Sequence, residues 1–305
     1  MTPRLLALDW GSSALRGALL DAAGHVLEQR SAARGMLTVE PGAFAQLFEA
    51  TFGDWMDVPG TRCLMAGMVG SRQGWVEAPY CPCPAGLDDV VARLMPVSHL
   101  DGRGRPRDIA IVPGISCEHG GVPDVIRGEE IKVFGARELL GRDEAVLVLP
   151  GTHSKWVTVE GGRIRDFRTV MSGEFYALLR SHSILAKSLP AEDGVLDAAA
   201  FDRGVAHALE SGSRLMQTAF SVRTLALFER LPEAARPSYL SGLVIGEELC
   251  CRPLDGVDEV VLIGAPVLAE RFERALRRRG IGVRMFGEEA AWRGLAAIDR
   301  HARSA

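Results

Sequence analysis

Two stretches of this chain are written to the same plan. Residues 5–10, Leu-Leu-Ala-Leu-Asp-Trp, form a short apolar run with the pattern of a buried strand. Gly11-Ser12-Ser13 breaks it, a second apolar run continues to Asp21, and a turn at 22–25 leads to a third strand at Val26–Arg30. The plan returns at Ala145–Leu149, where an apolar strand runs into Pro150-Gly151-Thr152-His153 and a second strand leaves through Lys155-Trp156-Val157. A Gly161-Gly162 turn and a third strand at Arg163–Arg168 complete it. Aligning Gly11 with Gly151 sets Ser12 against Thr152. Chance turns seldom recur with their flanking strands intact, so the chain is expected to hold two like-folded halves.

A hairpin tip made of glycine and hydroxyls can wrap a phosphate, and an acid closing the entering strand can hold a hydrated magnesium ion. Asp9 stands at that position. Taken alone, the segment reads equally well as a polar turn capped by Asp9. The second copy favours the phosphate reading, with two lobes gripping a polyphosphate between them. Neither G-x-x-x-x-G-K-[ST] nor G-x-G-x-x-G occurs, so any nucleotide must be held by the paired hairpins.

The 305 residues suit two lobes, and 47% hydrophobic content is enough for sizeable cores. A net charge of −4 argues against nucleic-acid or membrane-surface partners. Arg277-Arg278-Arg279 fits the C-terminus of a helix, where cations are favoured. No apolar run approaches ~20 residues and the N-terminus lacks a signal-peptide pattern, so a soluble cytoplasmic protein is expected, its oligomeric state left open with a homodimer included. The six cysteines show no C-x-x-C spacing, and Cys81-Pro82-Cys83 is too tight for a zinc knuckle. Free thiols are expected.

Between the hairpins, the pattern predicts a helix at 44–51 ending near Gly53, and a buried strand at 63–66 that opens into Ser71-Arg72-Gln73-Gly74-Trp75-Val76-Glu77. Arg72, Gln73 and Glu77 converging with an aromatic wall at Trp75 suit a small-molecule site, against the alternative of a surface loop anchored by one tryptophan. Residues 78–108 read as irregular with one short helix at 87–94. Gly128-Glu129-Glu130 opens a helix with acids at the positive end of its dipole. Further helices are expected at 173–179, 201–209 and 215–228, and at 239–249 with small residues four apart. Gly264-Ala265-Pro266 ends a strand before a helix at 267–279, a shelf suited to a nucleotide base or ribose.

The order of these pieces resembles the sugar kinases of the actin-like ATPase superfamily. The runs LALDWGSSALRG, MVGSRQGWVEAPY, DVIRGEE, LPGTHSKW, FSVRTLALFERLP, YLSGLVIGEEL and LIGAP are similar to the 2-dehydro-3-deoxygalactonokinase family across nearly the whole chain. The resemblance implies an α/β fold of two ribonuclease-H-like lobes, 1–125 and 126–305, with an interlobe cleft. It implies ATP and Mg²⁺ as cofactors and phosphorylation of the 6-hydroxyl of 2-dehydro-3-deoxy-D-galactonate. Asp9 would then hold magnesium, Gly11, Ser12 and Ser13 the transferring phosphate, Gly151 and Thr152 the inner phosphates, and Gly264 and Ala265 the adenosine.

In those kinases a carboxylate at a helix start, about twenty residues before the second hairpin, takes the proton of the attacking hydroxyl. Glu129 lies 22 residues before Gly151 and matches it. The usual Asp-Gln pair is Glu-Glu here, so the choice between Glu129 and Glu130 stays open, with Glu129 preferred. Arg72 is expected to fork onto the substrate carboxylate, with Gln73, Trp75 and Glu77 beside it. Lys155 is either a phosphate or acid ligand or an exposed strand lysine, and His153 more plausibly fastens the hairpin than moves a proton. Other readings are a kinase for a neighbouring ketodeoxy or aldonic acid, or a nucleotide-switched binding protein of the same superfamily.

Overall fold

The computed structural model describes residues 4–212, 214–252 and 254–304. Its strands and helices begin with β1 (Leu5–Trp10), β2 (Leu15–Leu20) and β3 (Val26–Ala32), then α1 (Phe44–Met56) and β4 (Arg62–Ala66). Short elements follow: β5 (Cys81–Pro82), α2 (Leu87–Val91), β6 (Met95–Pro96) and β7 (Ile109–Ile111). A hairpin of β8 (Ile115–His119) and β9 (Val122–Ile126) hands over to α3 (Glu129–Leu140). The second copy is β10 (Ala145–Leu149), β11 (Ser154–Glu160) and β12 (Arg163–Val170). Helices α4 (Ser172–His182), α5 (Ala198–Ser211), α6 (Leu215–Thr218), α7 (Ser221–Leu227) and α8 (Arg236–Cys250) come next. The chain closes with β13 (Glu259–Ile263), α9 (Pro266–Arg278), β14 (Gly282–Phe286) and α10 (Glu289–Ser304).

The duplication read from the sequence is present in the topology. One sheet runs β3-β2-β1-β4-β7-β6 and the other β12-β11-β10-β13-β14, so each first hairpin strand lies third from the edge with the same kind of neighbour on either side. β1 pairs antiparallel with β2 and parallel with β4, and β10 pairs parallel with β13. Near-continuous apolar runs at 5–8 and 145–149 fit strands at the centre of sheets covered on both faces. A third sheet has three strands, β5, β8 and β9, of which only the two-residue β5 lies in the 78–108 stretch expected to be irregular.

By contacts the chain divides into two compact units, one of Met1–Ala145, Val157–Arg168 and Phe286–Ala305, the other of Val146–Trp156 and Thr169–Met285. The expected boundary at 125/126 thus falls inside the first unit, where β9 runs straight into α3. Two helix expectations also change. α1 continues through Gly53 to Met56, because Phe52, Trp55 and Met56 extend its apolar face into the core. The stretch 215–228 is two helices, α6 and α7, joined at Ala219-Phe220.

The first unit packs β1, β2, β4 and α1 around Trp10, Phe48 and Phe52, all at full burial. The second is centred on Trp156, Phe201 and Phe272 under β10 and β13. Both units contain a helix crossing in which glycine lets backbone meet backbone. In α5 and α8, a Cβ on Gly242 would stand 2.1 Å from the Phe201 carbonyl oxygen, which is the close packing the small-residue spacing predicts. In α3 and α10, a Cβ on Gly135 would stand 1.7 Å from the Ala290 oxygen, and one on Gly294 1.7 Å from that of Ile131.

This second crossing fixes the helix that begins at Glu129. Gly135→Ala has no flexible side chain to displace and must push the helices apart. It is expected to cost about 3 kcal/mol, the upper end of overpacking, read as a lowered urea midpoint with unchanged slope.

Candidate functional site

In the first unit, Asp9 closes β1 with its side chain 15% exposed. Two glycines from distant parts of the sequence meet beside it. Gly67 follows β4 with φ of 97°, and a Cβ there would stand 2.7 Å from the Trp10 carbonyl oxygen. Gly128 precedes α3 with φ of 103°, and its Cβ would stand 3.1 Å from Gly67 Cα. Both conformations are left-handed and suit only glycine. Their missing side chains leave Asp9 Oδ1 bordered by bare backbone, since those Cβ positions lie 3.4 and 4.0 Å from it. On the other side Lys132 Nζ stands 3.6 Å from Asp9 Oδ2. Lys132 lies one turn after Glu129 on α3 and was not singled out from the sequence, although the i, i+3 spacing puts both on one face.

The two acids at the start of α3 have different surroundings. Glu129 is half-buried and accepts from the Arg127 amide at 2.9 Å. Glu130 is fully buried and accepts from the Gly128 amide at 2.6 Å, while Oε1 meets no hydrogen-bond donor among the described residues. Burial, with the neighbouring Glu129 charge adding to it, pushes the Glu130 carboxyl up to about 8. Glu129 keeps access to solvent and Glu130 does not.

The loop at 71–78 is folded down next to this helix start. The Trp75 amide donates to the Val69 carbonyl at 2.8 Å, and Gly74 lies so close that a Cβ would stand 2.1 Å from the same oxygen. Arg127 fastens the loop from the other side: its guanidinium donates to the Ala78 carbonyl at 2.8 Å and lies 4.3 Å over the Tyr80 ring. Trp75 is half-buried against Trp10, Phe48 and His99, so it anchors the loop in the core. Arg72 and Gln73 project outward. The Arg72 side chain is 83% exposed and Nε stands 3.7 Å from Glu77 Oε1, a surface pair that holds neither group firmly.

The first hairpin tip is held from behind. Met36 and Leu37 amides donate to the Gly11 and Ser12 carbonyls at 2.9 and 3.1 Å. A Cβ on Gly35 would fall 2.3 Å from Ser12 and Ser13 backbone atoms. Ser12 and Ser13 themselves are exposed.

In the second unit, the other hairpin tip is backed in the same manner. A Cβ on Gly173, in the first turn of α4, would stand 2.4 Å from the Gly151 oxygen, and the Glu174 amide donates to the Thr152 carbonyl at 3.0 Å. Gly151 itself has open space where a Cβ would be, and Thr152 is exposed. His153 Nε2 meets Glu174 Oε2 at 2.5 Å, a contact between the hairpin and the first turn of α4. Lys155 is buried at 6% exposure with Nζ donating to the His153 carbonyl at 3.0 Å, so it is not an exposed strand lysine. Gly264 sits against Pro150, its Cβ position 3.3 Å from Pro150 Cδ, which brings the Gly-Ala-Pro turn to the entrance of the hairpin. Ala265 caps α9, whose first turn carries no acid.

Sequence reasoning missed Glu248. This acid of α8 is 1% exposed and accepts the Trp156 indole N–H at 2.8 Å. Ser154 and Ser172 share a 3.2 Å bond where β11 and α4 begin, and their hydroxyls favour the charged form of Glu248. Burial nevertheless lifts it to about 7. The available signal was an acid pair inside an otherwise apolar helix.

The raised Glu130 carboxyl ties stability to pH. The folded chain holds this proton more tightly than the unfolded chain, whose carboxyl has the ordinary 4.5. The stabilisation is complete below 4.5 and is lost progressively as pH rises to about 8. Glu130→Gln is therefore expected to gain on the native chain as pH rises through that window. Urea unfolding of both proteins at its two ends measures the difference, which would be flat if the carboxyl titrated normally.

A family model described as 2-keto-3-deoxy-galactonokinase matches residues 9–298. A 2-dehydro-3-deoxygalactonokinase of Escherichia coli (strain K12) is 34% identical over 301 residues, covering 98% of each chain. A Rhizobium meliloti (strain 1021) protein named for the same activity, DgoK1, is 33% identical over 298 residues, covering 96% of each. A crystal structure from Sinorhizobium meliloti titled for that kinase superposes with a TM-score of 0.89 at 34% identity, over 97% of this chain and 98% of that one. A Porphyromonas gingivalis structure named for an N-acetylglucosamine kinase, at 15% identity and a TM-score of 0.50, shares the fold alone. Over nearly its whole length, then, this chain belongs to the 2-keto-3-deoxy-galactonokinase family.

Proposed function

We propose that this chain transfers the terminal phosphoryl group of ATP to the 6-hydroxyl of 2-dehydro-3-deoxy-D-galactonate, in the cytoplasm. The observation that carries the reading is the meeting of Asp9 with the first turn of α3 beside the 71–78 loop, in a chain of this family. Phosphoryl transfer to an alcohol needs charge neutralisation, alignment and an acceptor for the hydroxyl proton, and each has a candidate residue.

Glu129 is the proton acceptor. It lies at the rim of the helix start, where a substrate hydroxyl can reach it, whereas Glu130 is sealed in and holds its own proton up to about pH 8. Asp9 would hold a hydrated magnesium ion. Its carboxylate is a hard oxygen donor and the bare backbone of Gly67 and Gly128 leaves room beside Oδ1. That ion, when bound, supplies positive charge to the phosphoryl group in transit. Lys132 orients Asp9 from its other oxygen.

Gly11, Ser12 and Ser13 cradle the transferring phosphate, and Gly151 and Thr152 the inner phosphates. His153 and Lys155 keep the second loop in shape. Gly264 and Ala265 form the adenosine shelf. Arg72 takes the substrate carboxylate, with Gln73 and Glu77 beside it and Trp75 as the loop's anchor.

Three measurements test these roles. ATP turnover is expected to depend on the sugar acid; turnover indifferent to it would point to a nucleotide switch instead. Glu129→Gln should lower kcat about 10²–10⁴-fold with KM little changed, and Glu130→Gln should lower it far less. The opposite ranking would move the base to Glu130. Arg72→Ala should raise the sugar-acid KM about 10-fold or more, the loss of a charged hydrogen bond, and leave the ATP KM unchanged.

A further inference from the structure

Away from the residues assigned above, three side chains of metal-ligand type converge in the first unit. Cys117 and His119 alternate along β8 and so share one face of it, and Asp166 comes from β12. Cys117 Sγ lies 3.1 Å from His119 Nε2, which lies 3.3 Å from Asp166 Oδ1, and all three ligand atoms fall within 4.8 Å of one another. A second thiol is alongside. β5 runs parallel to β8 with Pro82 opposite Ser116, and the Cys83 amide donates to the Ser116 carbonyl at 2.8 Å, which sets Cys83 next to Cys117.

We infer that Cys117, His119 and Asp166 bind a divalent cation of the zinc class, with Cys83 or water in the fourth position. Zinc bonds of about 2.3 Å to sulfur and 2.0–2.2 Å to nitrogen or oxygen place neighbouring ligands of a tetrahedron about 3.3–3.6 Å apart, within a few tenths of the spacings seen. With water in the fourth position, one thiolate and one carboxylate balance the two positive charges, and the imidazole is neutral. Sulfur and nitrogen donors disfavour magnesium and calcium, which take oxygen. In the protein alone the trio is held by the Phe167 carbonyl, 3.2 Å from Cys117 Sγ and 2.9 Å from His119 Nε2. Binding exchanges those two hydrogen bonds for metal bonds: the thiol proton leaves to solvent, and the imidazole proton that Nε2 gives to the Phe167 carbonyl is relocated through solvent to Nδ1, freeing Nε2 for the metal. The cation would clasp the β8–β9 hairpin to β12, and β9 is the strand that leads into α3.

The test titrates cobalt into metal-stripped, reduced protein and follows the thiolate-to-cobalt charge-transfer band, then displaces it with zinc. The expected result is one equivalent bound, displaced by one of zinc, with zinc raising the melting temperature. Cys117→Ser should abolish the band, and His119→Gln should weaken zinc binding about 10²-fold or more, which decides the matter if the serine variant does not fold. Cys250→Ser, on α8, should retain the full band. Absence of a stoichiometric band, an undiminished band in Cys117→Ser, or an unchanged zinc affinity in His119→Gln overturns the assignment.

Discussion

The candidate site of the first unit rests on one close approach, that of Gly67 to Gly128. The turn leaving β4 passes so near the start of α3 that a Cβ on Gly128 would stand 3.1 Å from Gly67 Cα, while one on Gly67 would stand 2.7 Å from the Trp10 carbonyl oxygen, and Asp9 stands beside the contact. A side chain at Gly128 would press the helix start away from the turn after β4, and one at Gly67 would press that turn away from the end of β1 that carries Asp9. The left-handed conformation at both glycines is what lets the chain turn there without strain. Lys132 and Arg127 then fix what the glycines bring together, one by pairing with Asp9 and the other by pinning the 71–80 loop.

Much of this was legible before any coordinates. The repeated hairpins gave rise to two sheets of the same strand order because a glycine-hydroxyl turn between apolar runs has few other ways to fold. The helix at Glu129, the turn at Gly264 and the small-residue packing of α8 could all be read locally. What escaped was non-local. α10 has a mixed charged sequence whose apolar stripe gains meaning only against α3, and β8 and β9 form a sheet with the two-residue β5, too short to signal itself. Trp75 looked like a site wall because its core partners, Trp10, Phe48 and His99, are remote in sequence. The Cys117–His119–Asp166 cluster was invisible for the same reason, one ligand arriving from β12.

Each unit also keeps a buried acid behind its phosphate-loop candidate. Glu130 lies under the Asp9 corner and Glu248 under the start of β11 and α4, and burial raises both carboxyls. Neither faces solvent, and each accepts a hydrogen bond from a group that shapes the neighbouring loop, the Gly128 amide in one case and the Trp156 indole in the other. The cost of burying them is offset by geometry: an acceptor in a fixed place orients the group that donates to it.

The glycine crossing of α10 on α3 carries an implication for biosynthesis. α10 is made after the whole of the second unit, yet it belongs to the first. Until the ribosome has delivered it, the helix that begins at Glu129 lacks its packing partner, and the apolar face of α3 around Ile131 and Phe134 is uncovered. The second unit therefore has the opportunity to fold ahead of the first despite lying later in the gene, and the nascent chain spends that interval with an open seam for chaperones to guard.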